Sequence, residues 1–357
     1  MAETTVAANL VETVWDDKFF VEWVRKNRFA KYMGQSVNSI IQVREDLTKK
    51  AGDNIMFELL HRLNSDGVEG NAALEGSEES LDQFGHAINV TTRRNGVVVT
   101  DEENQKTGIQ LRNAAKAALR TWSMEKLRNL ILDGFGAIAT ADGGFTKYSA
   151  ASEGNKDTYT TNNSDRLLFG AVKSNLSAAD HSASLANIDN TADKLDAEMV
   201  SLAKRMAKTA DPHIRPVTVN EDEEWFVLFC NSLSFRDFKT DSTITQANRE
   251  AWQRGSTNPL FTDGDLVWDG VIIREVPEIA ILTGVGAGSI DVAPNYFCGA
   301  QCLGVAWAKR WKSAVNNTDY EFRKGVAIQA NLGVEKLFFN TKANGLLTLF
   351  SAGVADS

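Results

Sequence analysis

Glu78 and Glu79 are the first side chains to invite a chemical reading. Two carboxylates held at a fixed separation can divide acid and base work between them. Adjacent residues on a polar loop do not converge in that way, so a solvated loop, or a salt bridge to a neighbour's Arg or Lys, is the expected role. Gly284-Val-Gly286-Ala-Gly288 follows a strand-like run and imitates a dinucleotide-binding loop. Its third glycine comes one place early and Pro294 interrupts any immediate helix, so a hairpin turn is expected there. Cys298 and Cys302 lie four apart on an expected helix and could be half of a metal site. No His or further Cys lies near them in sequence, and they read as small buried hydrophobes. His61 and His86 sit in strand-like runs, and His181 and His213 flank an expected helix; nothing pairs them at ligand spacing. The chain contains no GxxxxGK[ST], GxSxG or HExxH pattern. No catalytic residue, cofactor or metal ligand is assigned, and an enzyme is not expected.

The composition narrows the class. With 357 residues, 43% hydrophobic and 24% charged, the chain is globular and long enough for one elaborated domain or two intimate ones. No apolar run approaches the roughly 18 residues of a membrane helix. The first twenty residues carry acids where a signal peptide carries bases, which predicts a protein made and kept in the cytoplasm. Three cysteines are too few for a disulfide framework. A formal net charge of −9 argues against a protein that grips DNA through its phosphates.

The chain is organised around residues 57–100. Two strand-like runs, Ile55–Leu63 and Ile88–Thr100, flank a polar, acidic stretch punctuated by Gly67, Gly70, Gly76 and Gly85. This reads as a long two-stranded ribbon with an oversized tip. An isolated hairpin is marginal in water. The reading therefore predicts that the ribbon lies on a second copy of the chain. Thr100-Asp-Glu-Glu103 is a capping box, and a long helix is expected from about Glu103 to Leu132, with Gly108 a weak spot and Gly134 a stop. Gly134–Asp165 reads as a surface excursion with little core, followed by a short strand at Arg166–Ala171. Leu185, Ile188, Ala192, Leu195, Met199, Leu202 and Met206 form one seam of a second long helix, acidic early and basic late. Strands are expected within Val217–Cys230 and around Trp268–Ile273, with Phe235–Arg254 helical in its second half. Strand-like runs in the tail return to sheets begun earlier, an α+β topology.

Several of these stretches also carry a resemblance. Gly67-Val68, Leu74-Glu75-Gly76-Ser77-Glu78-Glu79-Ser80-Leu81 and the strand that follows resemble the signature of the tailed-phage major capsid family typified by coliphage N-four, with the Hong Kong 97-type capsid fold. Arg215-Pro216-Val217, Asn258-Pro259-Leu260-Phe261, Trp268-Asp269-Gly270-Val271 and Gly299-Ala300-Gln301 match further family blocks in the same order. The resemblance covers most of residues 55–310. It implies an amino-terminal arm over 1–50, an extended hairpin over 51–101, a peripheral domain with its spine helix over 102–210, an axial domain over 211–320 and returning strands over 321–357. It also implies hexamers and pentamers of the chain, tiling an icosahedral head around double-stranded DNA held by enclosure.

A separate scaffolding protein, a portal and a decoration protein are expected as partners; no membrane is. Trp15, Phe19, Phe20 and Trp23 are expected either on a helix packed on their own domain or on an arm docked to a neighbour. Glu75, Glu78, Glu79, Arg93 and Arg94 are either contacts between chains or ordinary solvated charges. No lysine occurs between Lys50 and Lys106, so this hairpin cannot donate the amine of an isopeptide cross-link, and a non-covalent shell is expected. A cargo-enclosing nanocompartment or a cytosolic α+β enzyme is the alternative reading.

Overall fold

The computed structural model describes residues 28–45, 53–60, 63, 65–71, 73–76, 78–79, 83–106, 110–140, 142–177, 180–219, 223–250 and 266–354. Trp15, Phe19, Phe20, Trp23, His61, Gly108 and the Asn258–Phe261 block lie outside them. The chain divides into two compact units. One includes 91–129 and 308–332; the other contains 28–90, 130–307 and 333–357.

The larger unit is built on a seven-stranded mixed sheet. Its order is Leu266–Trp268, Val271–Glu275, Glu223–Cys230, Val292–Cys298, Leu346–Ala352 and Leu167–Phe169, with Val217–Val219 also paired to Glu223–Trp225. All seven residues of Val292–Cys298 are buried, as a central strand covered on both faces requires. On one face the helix Ala197–Thr209 packs Met199, Val200, Ala203 and Met206 against Phe226, Leu228, Phe297 and Leu347. Helices Ser232–Thr240 and Ser242–Glu250 add Phe235, Phe238 and Ile244 to the same core. Elsewhere in the unit Phe229 meets Phe29 at 5.0 Å, and Tyr296 stacks on Phe135 at 5.4 Å between ring centroids.

In the smaller unit Thr91–Thr100 pairs antiparallel with Arg323–Leu332. The Thr100 hydroxyl accepts from the Glu103 amide at 3.3 Å and so caps Asp101–Lys106. The main helix, Leu111–Phe135, starts here, and its residues from 130 onward belong to the larger unit. Trp122 packs edge-on against Trp311 at 5.7 Å.

Local competition explains where the elements differ from expectation. The ribbon's second strand ends at Asn89, and Thr91–Thr100 joins a different sheet. The long seam is not one helix but His181–Ala186 and Ala197–Thr209. Five of its members, Leu185, Ile188, Leu195, Met199 and Met206, lie in the core, whereas Leu202 is half-buried and Ala192, between the two helices, is exposed. The acids break it. Asp193 accepts from the amides of Ala171 at 2.7 Å and Asp189 at 2.8 Å, and Asp196 caps the second helix through Met199 N. The polar excursion contains a helix, Glu153–Asn162, capped by Ser152 and burying Tyr159 and Thr160. Both halves of the 235–250 region are helical. Cys298 ends a strand, and Cys302 lies beyond it, its Sγ donating to the Ile40 carbonyl at 3.2 Å; both are buried. Gly134 is inside the helix; a Cβ there would stand 2.9 Å from Leu303 Cδ1, so the glycine permits packing.

Two buried bases have polar partners that the sequence does not reveal. Lys336 donates to the Ala137 carbonyl at 3.0 Å and the Tyr159 hydroxyl at 3.1 Å, and burial pushes its amine down to about 7. His181 sits between the Tyr148 and Thr160 hydroxyls, each at 2.8 Å. Burial pushes the imidazole down to about 4, against the opposing pull of Glu153. The unfolded chain carries an ordinary histidine, so it takes up a proton between pH 6.5 and about 4 that the folded chain refuses. Stability should therefore fall as pH drops through that window, by on the order of 3 kcal/mol. Thermal unfolding of His181→Gln should show a flatter dependence between pH 7 and 4 than the parent; an equally steep profile would assign the acid sensitivity to other groups.

Candidate assembly interface

The ribbon consists of Asn54–Leu60 and Gln83–Asn89, antiparallel, with Ile55 opposite Ile88, Phe57 opposite His86 and Leu59 opposite Phe84. Alternation places these pairs on one face. Ile55, Phe57 and Ile88 are buried against Ala306, Leu337 and Phe339, with Leu59, Phe84 and Val90 partly buried at the margin. Each large side chain of that base contributes about 2 kcal/mol by apolar burial. Arg44 covers the Phe57 ring at 4.9 Å and donates to the Met56 carbonyl at 2.9 Å. His86 lies 3.5 Å from the Glu335 carboxylate and packs edge-on against Phe145. The base is thus anchored on its own subunit, which corrects the expectation that the whole ribbon needs a second copy beneath it.

The tip differs in kind. Apart from half-buried Val68, every described residue from Leu63 to Glu79 is exposed, and Leu63 and Leu74 are each 60% exposed. Gly67, Gly70 and Gly76 take left-handed backbone, with φ of 75°, 67° and 89°. Glu79 accepts from the Ser65 amide at 2.7 Å, Ser65 Oγ from the Gly67 amide at 3.1 Å, and Glu78 from the Gly76 amide at 2.7 Å. The adjacent carboxylates that looked like acid–base partners each hold a separate piece of their own loop. Segment 61–82 contains six Asp and Glu against one Arg.

Arg93 and Arg94 lie on Thr91–Thr100, opposite Ala330 and Gln329, not on the ribbon. Arg94 is exposed; Arg93 is half-buried, and its Nε has no hydrogen-bond partner. Among the described residues, one acidic group is close enough to share a cation: Glu153, Asp157 and Asp180. Their side chains are already engaged, by Lys156, the His181 amide and the Ala183 amide respectively. Gly284-Val-Gly286-Ala-Gly288 is a turn between Leu282 and Val292, which bridge one another antiparallel.

The family model for phage capsid protein matches residues 3–354. The chain belongs to that family. The major capsid protein of Pseudomonas phage KPP25 is 25% identical over 96% of both chains. A chain of the cyanophage Pam1 capsid is 36% identical and superposes over the whole of both chains with a TM-score of 0.92. A chain of the Ralstonia phage GP4 capsid shares the fold at 21% identity, with a TM-score of 0.76 over both full chains. The capsid chain therefore has the α+β architecture of the Hong Kong 97-type fold, with its ribbon standing on strands of its own subunit.

Gly333 controls that stance. A Cβ at Gly333 would lie 2.2 Å from the Asn89 carbonyl oxygen and 2.8 Å from Ile88 Cγ2. Gly333→Ala should lift the ribbon base and lower stability by about 1–3 kcal/mol, read as a shift in denaturant midpoint. An unchanged midpoint would mean that the ribbon base gives way without cost.

Proposed function

We propose that this capsid chain is the major subunit of a tailed bacteriophage head, closing as hexamers and pentamers into an icosahedral shell around double-stranded DNA. The observation that carries the reading is the match to phage capsid chains over the full length, ribbon included. The role is structural and not catalytic. Each contact between copies can be weak, because closure repeats it many times. The ribbon tip reaches a neighbour, and Glu75, Arg93 and Arg94 supply charge at the contacts between chains. A scaffolding protein, a portal and a decoration protein are separate partners. DNA is held by enclosure without sequence-specific binding, which suits a chain of net charge −9.

The purified chain should form sheets, tubes or closed shells by sedimentation and negative-stain microscopy. A persistent monomer under all assembly conditions would overturn the proposal. The absence of lysine between Lys50 and Lys106 predicts a shell without ribbon cross-links. Particles boiled in SDS should run as single chains, and a ladder of covalent multimers would refute the non-covalent shell.

A further inference from the structure

The chain contains two Asn-Gly pairs, Asn95-Gly96 and Asn344-Gly345, and the fold treats them in opposite ways. Asn95 and Gly96 are both exposed, midway along the strand Thr91–Thr100. That strand is the last of its sheet: one edge pairs with Arg323–Leu332, and the other carries no strand among the described residues. The Gly96 amide donates to Asn95 Oδ1 at 2.9 Å. This contact sets the backbone nitrogen against the side-chain carboxamide and polarises its carbonyl. The second pair is locked instead. Asn344 is half-buried, and its Nδ2 donates to the Gln301 carbonyl at 3.2 Å. Its main-chain amide donates to the Leu337 carbonyl at 2.8 Å, and its main-chain carbonyl accepts from Arg166 at 3.3 Å. Gly345 is buried so closely that a Cβ there would stand 2.4 Å from the Ala300 carbonyl oxygen.

We propose that Asn95-Gly96 is a site of spontaneous, one-way modification, at which the Asn95 side-chain amide is lost through a succinimide. The inference is independent of the assembly reading. The Gly96 nitrogen attacks Asn95 Cγ, and a C–N bond forms there as the Cγ–Nδ2 bond breaks. The displaced nitrogen takes up the Gly96 amide proton and leaves as ammonia. Water then opens the ring. Cleavage at Cγ leaves aspartate in an ordinary backbone; cleavage at the main-chain carbonyl leaves isoaspartate, with the chain routed through the side chain. One water enters and one ammonia departs, and neither enzyme nor oxidant is needed. Three features select this pair. A nucleophile held beside its target reacts at a high effective concentration. A residue without Cβ hinders ring closure least and gives the backbone the rotation that the ring requires. An edge strand can open locally while breaking a single ladder. Either product adds a negative charge beside Arg93 and Arg94. Isoaspartate also lengthens the main chain opposite Ile328 and Ala327, so the pairing from there to Thr100 loses its register.

The test incubates the folded full chain at mildly alkaline pH and follows both pairs by peptide mass spectrometry, with enzymatic methylation of isoaspartate as a second readout. Asn95 should convert at least about tenfold faster than Asn344. In denaturant the two rates should converge, because both pairs then sample the same open backbone. Asn95→Gln would have to close a larger, slower ring, and it should abolish isoaspartate formation at that position. Its melting temperature when fresh should equal that of the parent. On ageing, the parent should lose melting temperature as isoaspartate accumulates, and Asn95→Gln should not. Equal rates at the two pairs in the folded chain would mean that the dipeptide alone governs the reaction, and would overturn the inference. So would an unconverted Asn95 or a faster Asn344, either of which would show that the strand protects its own pair.

Discussion

How closely the first ribbon pair can approach the strands beneath it sets what the rest of the projecting structure can do, and a missing side chain governs that approach. Gly333 leaves room for the Asn89 carbonyl, and Ile55, Phe57 and Ile88 then settle against Ala306, Leu337 and Phe339. A two-stranded ribbon gains little stability from its own hydrogen bonds in water. Here its lower pairs are fixed by apolar burial on the parent subunit, so the upper loop can be long, polar and exposed without unravelling the base.

This arrangement separates two tasks that usually conflict. The larger unit keeps a mixed sheet with an aromatic and aliphatic core, and even its buried bases, Lys336 and His181, are held by neutral hydroxyl or carbonyl partners. The tip instead spends its side chains on its own backbone. Glu78 and Glu79 each satisfy a loop amide, and three glycines supply the turns. Local polar contacts of this kind hold loop backbone where no apolar core lies beneath it.

Charge distribution adds a second constraint. A uniformly acidic subunit would repel its copies in any crowded shell, and salt would be its main relief. Here the charge is uneven, with segment 61–82 acidic and segments 91–129 and 308–332 basic.

Much of this was legible in the residues. The strand-like runs that begin at Ile55 and Ile88, the Thr100 cap and a strand within Val217–Cys230 depend on local pattern, and the structure keeps them. Most of the seam from Leu185 to Met206 was also legible as core, though Ala192 is exposed and the seam is not one helix. Periodicity reports which side chains face inward, whereas the backbone between them answered to Asp193 and Asp196, whose partners include an amide distant in sequence. Tertiary structure alone decided that Thr91–Thr100 leaves the ribbon to pair with Arg323–Leu332, and that Gly134 and Gly333 serve close packing. It alone placed Arg112, Lys116 and Lys324 around one cavity. Strand partners and close approaches join residues far apart along the chain, and no local pattern encodes which of them will meet.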